Sequence, residues 1–465
     1  ISITFQKIAG GEAPGDPSRA QFWLGKALFQ MEYYGASLAV FQEVVEAGPE
    51  HPYYQLTLPW LASLSRVLPE GAGVLALVGK YRADSLEAEQ FDGVRDELYY
   101  LLGRFNYQKG DLGQSIALLS LVPENSDFYI PAQYFLGVAE TREFHGSEAV
   151  TAFKNVLRKN IQMREDAEQR KKQKKKKDLT SVELDFAEQN KRFEELANIA
   201  LGYIFYQVGK FDTAIKYFDR VRMESPYWLE AVFAASWSEF RLVEVEPEQA
   251  NRHYQRTLGY IHTLNAPFFY DYLYPEALVL KSVTYYFNCR YGPAKRAIDE
   301  FNSRYVKTKE DLQAVLDRAP EDFELYELTV DIRASKSDLD PFVEKVARKS
   351  LQDKTLEKYY AYVARLEKEE KMLAASSATF QDSGVGDVIS ENLDFTLSAA
   401  KEATGKQARE RLAKQISEIK SLQREAIKVE YEILNKLKTV GEEAVGELQK
   451  PVIDSEHEIY NYNGE

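Results

Sequence analysis

The amino-acid sequence predicts an all-α fold, a superhelical solenoid of antiparallel helix pairs with a long amphipathic helical region at its carboxy-terminal end. Three observations predict it. A Leu-Gly pair inside a helical pattern recurs at Leu24-Gly25, Leu102-Gly103, Leu136-Gly137 and Leu201-Gly202. Gly103 and Gly137 stand 34 residues apart, the length of one helix–turn–helix unit. From Ile416 onward, apolar residues fall at spacings of three and four, the period of a helix face.

Each Leu-Gly pair is followed by an aromatic-rich turn and a second amphipathic stretch. Another 34 residues beyond Gly202 stands Ser236, the next-smallest residue for that place. Gly137 and Gly202 are 65 apart, one period plus 31, and a charged segment of about that length begins near Asn160. The most complete unit runs over 195–228, with Leu201, Gly202, Phe205, Gly209, Phe211, Ala214, Phe218 and Pro226. Two helices that pack closely need a small residue where the partner's bulk crosses, a role for Gly202 and Ala214. Phe205, Phe211 and Phe218 supply the apolar bulk, Gly209 permits a tight turn, and Pro226 follows the end of the second helix. Partial copies show Phe41 and Pro49, then Gly110, then Ala149 with Phe153. A later one has Tyr285, Tyr291 and Ala294, with Cys289 where glycine would be usual.

These residues at these offsets resemble the tetratricopeptide motif, and the resemblance covers residues 18–310. The stretch 51–90 is degenerate, Ser236 replaces glycine in its copy, and a stretched loop spans 244–250. In that family, ligands lie in the concave groove lined by the first helix of each pair. Carried over by offset, the groove positions are Tyr100, Arg104, Tyr107, Tyr134, Arg142, Tyr203, Tyr206, Phe233, Trp237, Phe240, Arg241 and Tyr286. Tyr, Trp and Arg dominate interface hot spots, so the resemblance implies a peptide or helix of another protein as partner; the same rings also suit packing between repeats. The Lys and Asn pattern with which some family members clamp a peptide carboxylate is absent from those offsets, which argues against a chaperone-tail receptor.

The expected organisation is repeats over 1–160, a charged insertion over 161–190, repeats over 191–310, a helical extension over 311–380, a linker at 381–387, long amphipathic helices over 388–450 and a tail over 451–465. The insertion carries a basic run, Arg170, Lys171, Lys172, Lys174, Lys175, Lys176 and Lys177, among flanking acids. The run is either a solvated insertion or a dock for anionic membrane, nucleic acid or an acidic partner. Residues 381–387 read QDSGVGD, the clearest linker signal in the chain. Beyond it, Ile416, Ile419, Leu422, Ala426, Val429, Ile433, Leu437 and Val440 form the apolar face of a helix ending near Pro451. Its counterpart over 410–445 is either a helix of another chain or the solenoid's own flank. Gln423 and Glu430, which fall in a strict heptad seam, weigh against a simple coiled-coil dimer.

Nothing in the sequence points to catalysis, and no catalytic, cofactor or metal-ligand set is expected. His51, His145, His253, His262 and His457 are scattered singly. The segment from Gly73 to Lys80 fails as a phosphate loop, because its spacing to Gly79 is one too long and Tyr81 follows the lysine. Cys289, the single cysteine, reads as a buried structural thiol within a repeat. A net charge of −14 disfavours a general nucleic-acid role, and no stretch approaches the roughly 18 apolar residues of a membrane span. With 13% aromatic residues, including 30 Tyr and 25 Phe, the chain has ample surface to order a large body. Ile1 is not Met and reads as a processed or trimmed start. In layout and tail, the chain resembles bacterial envelope repeat proteins that serve outer-membrane, division or motility machines. That resemblance implies a periplasmic scaffold for a multi-protein assembly; the alternative is a cytoplasmic adaptor whose basic run meets nucleic acid or anionic membrane.

Overall fold

The computed structural model describes residues 1–172, 181–269 and 274–446, and these contain helices and no strand. Helix α1 (Ser2–Ala9) precedes the pair α2 (Pro17–Gln30) and α3 (Tyr34–Glu46), followed by α4 (Tyr54–Val67) and the short α5 (Val74–Val78). Three pairs come next: α6 (Arg95–Lys109) with α7 (Leu112–Ser120), α8 (Tyr129–Arg142) with α9 (Gly146–Lys172), and α10 (Ser181–Gln207) with α11 (Phe211–Phe218). Three more are α12 (Trp228–Val245) with α13 (Ala250–Leu264), α14 (Pro275–Phe287) with α15 (Tyr291–Arg318), and α16 (Asp322–Arg333) with α17 (Pro341–Ser350). The chain continues through α18 (Lys354–Ala374), one turn of α19 (Ala378–Gln381) and the 63-residue α20 (Gly384–Gly446). Several starts are capped as the sequence dictates. Asp16, Asp111 and Asp353 accept backbone N–H groups of the first turns of α2, α7 and α18.

The chain is an all-α solenoid of tetratricopeptide type, and its register proves the repeat. A Cβ built on Gly25, Gly103, Gly137 or Gly202 would meet the side chain 16 residues on, respectively Phe41, Leu119, Phe153 and Phe218, at no more than 2.8 Å. Twelve residues after each glycine stands a fully buried small residue: Ser37, Ser115, Ala149 and Ala214. Ser37 and Ser115 also donate their hydroxyls to the carbonyls of Gly25 and Gly103, both at 2.8 Å. Seven residues after each glycine the backbone turns left-handed, at Glu32, Gly110, Phe144 and Gly209. The next residue's N–H then bonds five residues back in every case, as in Asp111 to Asn106 O at 2.9 Å and Lys210 to Phe205 O at 2.8 Å, which closes the helix end. The same offsets counted from Ser282 give Cys289 at φ 57° and buried Ala294. Cys289 thus sits in the glycine place of its turn, but the thiol is exposed rather than buried.

The pairing persists past residue 310. Ser335, at φ 55°, repeats the left-handed turn between α16 and α17. The degenerate stretch 51–90 lacks the full pair: α4 carries Pro59 inside it, and 3-10 turns replace much of a second helix. At the charged insertion, α9 and α10 run on beyond their repeat, held by Arg164 to Glu194. Arg170, Lys171 and Lys172 form the backbone of the last turn of α9, while Lys174, Lys175, Lys176, Lys177 and residues 451–465 lie outside the described residues.

α20 folds back along the solenoid. Val385, Ile389 and Leu393 complete the core of the amino-terminal repeats, and Ala408, Leu412, Ile419, Ala426 and Ile433 complete that of α14 to α17. Ile416, Leu422 and Val429 are partly buried on the same core, so the stripe is satisfied within the chain through Ile433; Leu437 stays exposed. Residues 381–387 form the tight junction of α19 and α20, with Val385 buried, rather than an extended spacer. α18 docks on α3, where the fully buried Glu369 accepts the backbone N–H groups of Tyr34 and Gly35 at 3.0 and 3.1 Å. Its carboxylate serves as a helix cap contributed from the far end of the sequence, and it joins the two ends of the solenoid.

Candidate partner-binding groove

Most of the offset-derived residues stand three or four apart on the first helices of the pairs, hence on one face of each helix, while Arg142 stands eight from Tyr134 and Arg241 directly follows Phe240. On α6 and α8 that face is a ring stack. Tyr100 is buried against Phe128 and Phe135, with centroids at 5.6 and 6.2 Å, and Tyr107 meets Phe135 at 6.1 Å. Tyr134 touches Phe135, Phe153 and Phe193, and burial, aided by neighbouring Tyr227 and Tyr107, pushes its pKa up to about 12. Arg104 lies 4.6 Å over the Phe135 ring and pairs with Glu70, which also binds Lys358 of α18. Burial opposes ionisation of Glu70, but the two cations outweigh it and hold its pKa below the usual range. Arg142 is exposed and stacks 5.1 Å over Tyr107.

On α10 and α12 the face is more open. Tyr203 is 39% exposed, packs edge-on against Phe218 at 5.3 Å, and points its hydroxyl at Glu230, 3.5 Å away. Burial of the ring and the nearby Glu230 carboxylate push its pKa up. Tyr206 packs on Phe211, and Arg241 lies over the same ring at 5.2 Å while pairing with Glu244. Phe233 meets Tyr274 at 6.0 Å, and Trp237 meets Phe240 edge-on at 5.8 Å. Tyr286 packs on Tyr291 and against the core that α20 completes, so it faces a helix of its own chain.

The structure therefore brings the α6, α8, α10 and α12 residues to one continuous surface and sets Tyr286 under a wall. A second wall comes from α18: Glu357, Lys358 and Ala361 line a cleft of about 390 Å³ with Pro69, Arg192 and Pro226. Sequence reasoning missed Arg192, whose Nε donates to the Tyr227 hydroxyl at 2.8 Å, and the wall from α18, and it held the solenoid's own flank as one of two counterparts for the helix that forms the other wall. It also passed over Glu97, Glu230 and Glu276, although each stands six residues before the small residue of its pair, Gly103, Ser236 and Ser282. That recurrence was a usable signal.

Two histidines are tied into hairpins. His145 meets Glu140 at 2.8 Å, and buried His253 bonds fully buried Glu239 at 2.9 Å, which also takes Arg256. That network joins α12 and α13 beside the apolar contact of Leu229 and Val232 with Ile261 and Leu264. Among the described residues, no group of three or more His, Cys, Asp and Glu side chains is placed to hold a metal ion.

No protein-family model matches the chain, and no curated protein matches it. Among solved structures it is similar to a tetratricopeptide repeat protein from Parabacteroides merdae, at 11% identity over 62% of this chain and 93% of that one, with a TM-score of 0.35. A Rap protein complexed with competence and sporulation factor aligns at 14% identity over 83% and 97%, with a TM-score of 0.26. A circular tandem repeat protein of novel repeat topology aligns at 12% identity over 95% and 97%, with a TM-score of 0.15. The fold assignment rests on the chain's own register of glycines, rings and turns.

Proposed function

We propose that this chain is a non-catalytic scaffold that captures a peptide or helix of another protein on the groove face of α6, α8, α10 and α12. The observation that carries this reading is the uneven covering of the groove. α20 seals the face of α14 and α18 closes on Glu70, whereas Tyr203 remains 39% exposed with Tyr206 and Trp237 beside it on the uncovered stretch. Aromatic side chains held by their neighbours give a partner large contact area at small entropic cost. The setting we infer is a multi-protein assembly of the bacterial cell envelope, on the periplasmic side. Changing Tyr203, Tyr206 and Trp237 to Ala weakens partner capture by more than about 1 kcal/mol per hot spot with helicity preserved. Pull-down of the natural partner from envelope fractions, compared between wild type and the triple variant, measures this. Undiminished capture by the variant refutes the groove assignment.

A further inference from the structure

The cleft between α10 and α18 carries charge that its surroundings leave unmatched. Pro69, Pro226 and Ala361 give it an apolar lining, and Arg192 and Lys358 bring cations to it. Lys358 shares the carboxylate of Glu70 with Arg104, so two cations meet one anion. Glu357, the acid of the lining, does not offset them, because Arg333 donates to both its oxygens at 2.6 and 2.8 Å. Arg192 is exposed. Its Nε donates to the neutral Tyr227 hydroxyl at 2.8 Å, and no ion pair reaches it among the described residues. Glu195, one turn on along α10, accepts instead from Arg222 at 2.6 Å and from Ser225 at 2.5 Å. Four cations therefore stand against two carboxylates around an apolar cleft of about 390 Å³, in a chain whose net charge is −14. Arg192 also shares a face with the open groove. Tyr203 stands 11 residues further along α10, about three turns, and so nearly in line with it. That is about 16 Å along the helix axis, the reach of about five residues of extended chain.

We propose that this cleft takes an acidic segment of the groove-bound peptide, its side-chain carboxylates on Arg192 and Lys358 and an adjoining apolar side chain against Pro69, Pro226 and Ala361. The inference rests on the groove reading above and adds the chemistry of the partner: acidic residues about five positions from the residue that meets Tyr203. The bond to Tyr227 uses only Nε of Arg192, which leaves the two terminal nitrogens of the guanidinium to meet a carboxylate side by side. Charge complementarity selects this occupant, because a basic segment would be repelled and a neutral one would leave the cations unmatched. Since α18 supplies one wall, a bare array of helix pairs would not form the cleft.

The test uses the full chain and isothermal titration calorimetry at about 0.1 M salt, which screens charges beyond about 10 Å. The probe is a Ser-rich peptide of about 12 residues, blocked at both ends, with Glu-Leu-Glu near one end and Leu-Phe about five positions on. Two companions carry Gln or Lys in place of both Glu, and a fourth peptide is the Gln form with a free terminal carboxylate. The Glu peptide binds at least about five-fold more tightly than the blocked Gln and Lys forms, against the general pull of a chain at −14 on a basic peptide. Arg192→Gln with Lys358→Gln removes that advantage, and Arg192→Gln alone, which leaves both partners of Glu70 in place, lowers it about three-fold. Lys154→Gln with Lys406→Gln, exposed cations elsewhere, changes it less than about two-fold. Far-UV circular dichroism checks that each variant is folded. Equal or tighter binding of the Lys form, no binding of the Glu form, an advantage that persists without Arg192 and Lys358, or an equal loss in the control variant overturns the proposal. A gain confined to the free terminal carboxylate overturns it too, because the cleft then takes a chain end in place of acidic side chains. Tyr203→Ala with Trp237→Ala tests the groove separately. If the Glu peptide keeps its affinity for that variant but loses it in the cleft variant, the groove reading falls and the cleft stands alone; the reverse pattern keeps the groove and refutes the cleft.

Discussion

The helix-pair register makes opposite demands on two glycines inside helices, and a matched pair of substitutions separates them. In α13, Gly259 has open space where a Cβ would go. Its replacement by Ala gains the helix propensity that glycine lacks, about 1 kcal/mol. In α10, Gly202 earns the same propensity gain, but its new Cβ would press into the ring of Phe218, which is 2% exposed and has no room to swing away. Over-packing of that kind costs about 1–3 kcal/mol, so Gly202→Ala ranges from neutral to about 2 kcal/mol destabilising. The two variants therefore differ by about 1–3 kcal/mol in a direction that helix propensity alone cannot produce. Urea unfolding followed by circular dichroism reads the difference as a shift in midpoint, with the slope checked because repeat arrays unfold in parts. If Gly202→Ala raises the midpoint as much as Gly259→Ala does, the close glycine–phenylalanine crossing on which the register rests is wrong.

Two further outcomes follow from the closure of the chain on itself. Burial raises the pKa of Glu369 above the usual 4.5, so the folded chain holds that proton more tightly than the unfolded one. Its stabilising contribution is complete below the unfolded value and is lost as pH rises through the folded value; Glu369→Gln, which keeps an acceptor for the Tyr34 and Gly35 N–H groups but cannot titrate, removes this pH dependence. Unfolding midpoints of both proteins measured from acid to neutral pH would show no such divergence if Glu369 were solvated. On α20, Leu412 is fully buried against α15 to α17, so Leu412→Ala costs about 2–5 kcal/mol and speeds amide exchange in α16 and α20. Unchanged exchange in α16 would mean that α20 rests on the solenoid without bracing it.

Local spacing determined the repeating unit. A glycine, a left-handed turn seven residues on, a small residue at twelve and a ring at sixteen are separated by less than one hairpin, and each is set by contacts within that hairpin. Cys289 could thus be assigned to a glycine place from sequence alone, and Phe144 and Glu32 show that the turn survives even where the side chain makes a left-handed backbone costly. The sequence also showed that Ile416 to Ile433 form one apolar face. It could not show what that face meets, because an amphipathic stripe specifies burial and leaves the partner open.

Only the tertiary structure decided that the partner is the chain's own solenoid, that QDSGVGD at 381–387 is a junction in place of a spacer, and that Tyr286 is walled off while Tyr203 is not. The contacts responsible join residues far apart in sequence, such as the Tyr34 N–H to Glu369, 335 residues away, and Arg409 to Asp322, 87 away. They depend on the small rotation from each helix pair to the next, summed around the whole superhelix. No residue spacing within one repeat records that sum, which is why the repeating helix pair was legible in the sequence and what covers its faces was not.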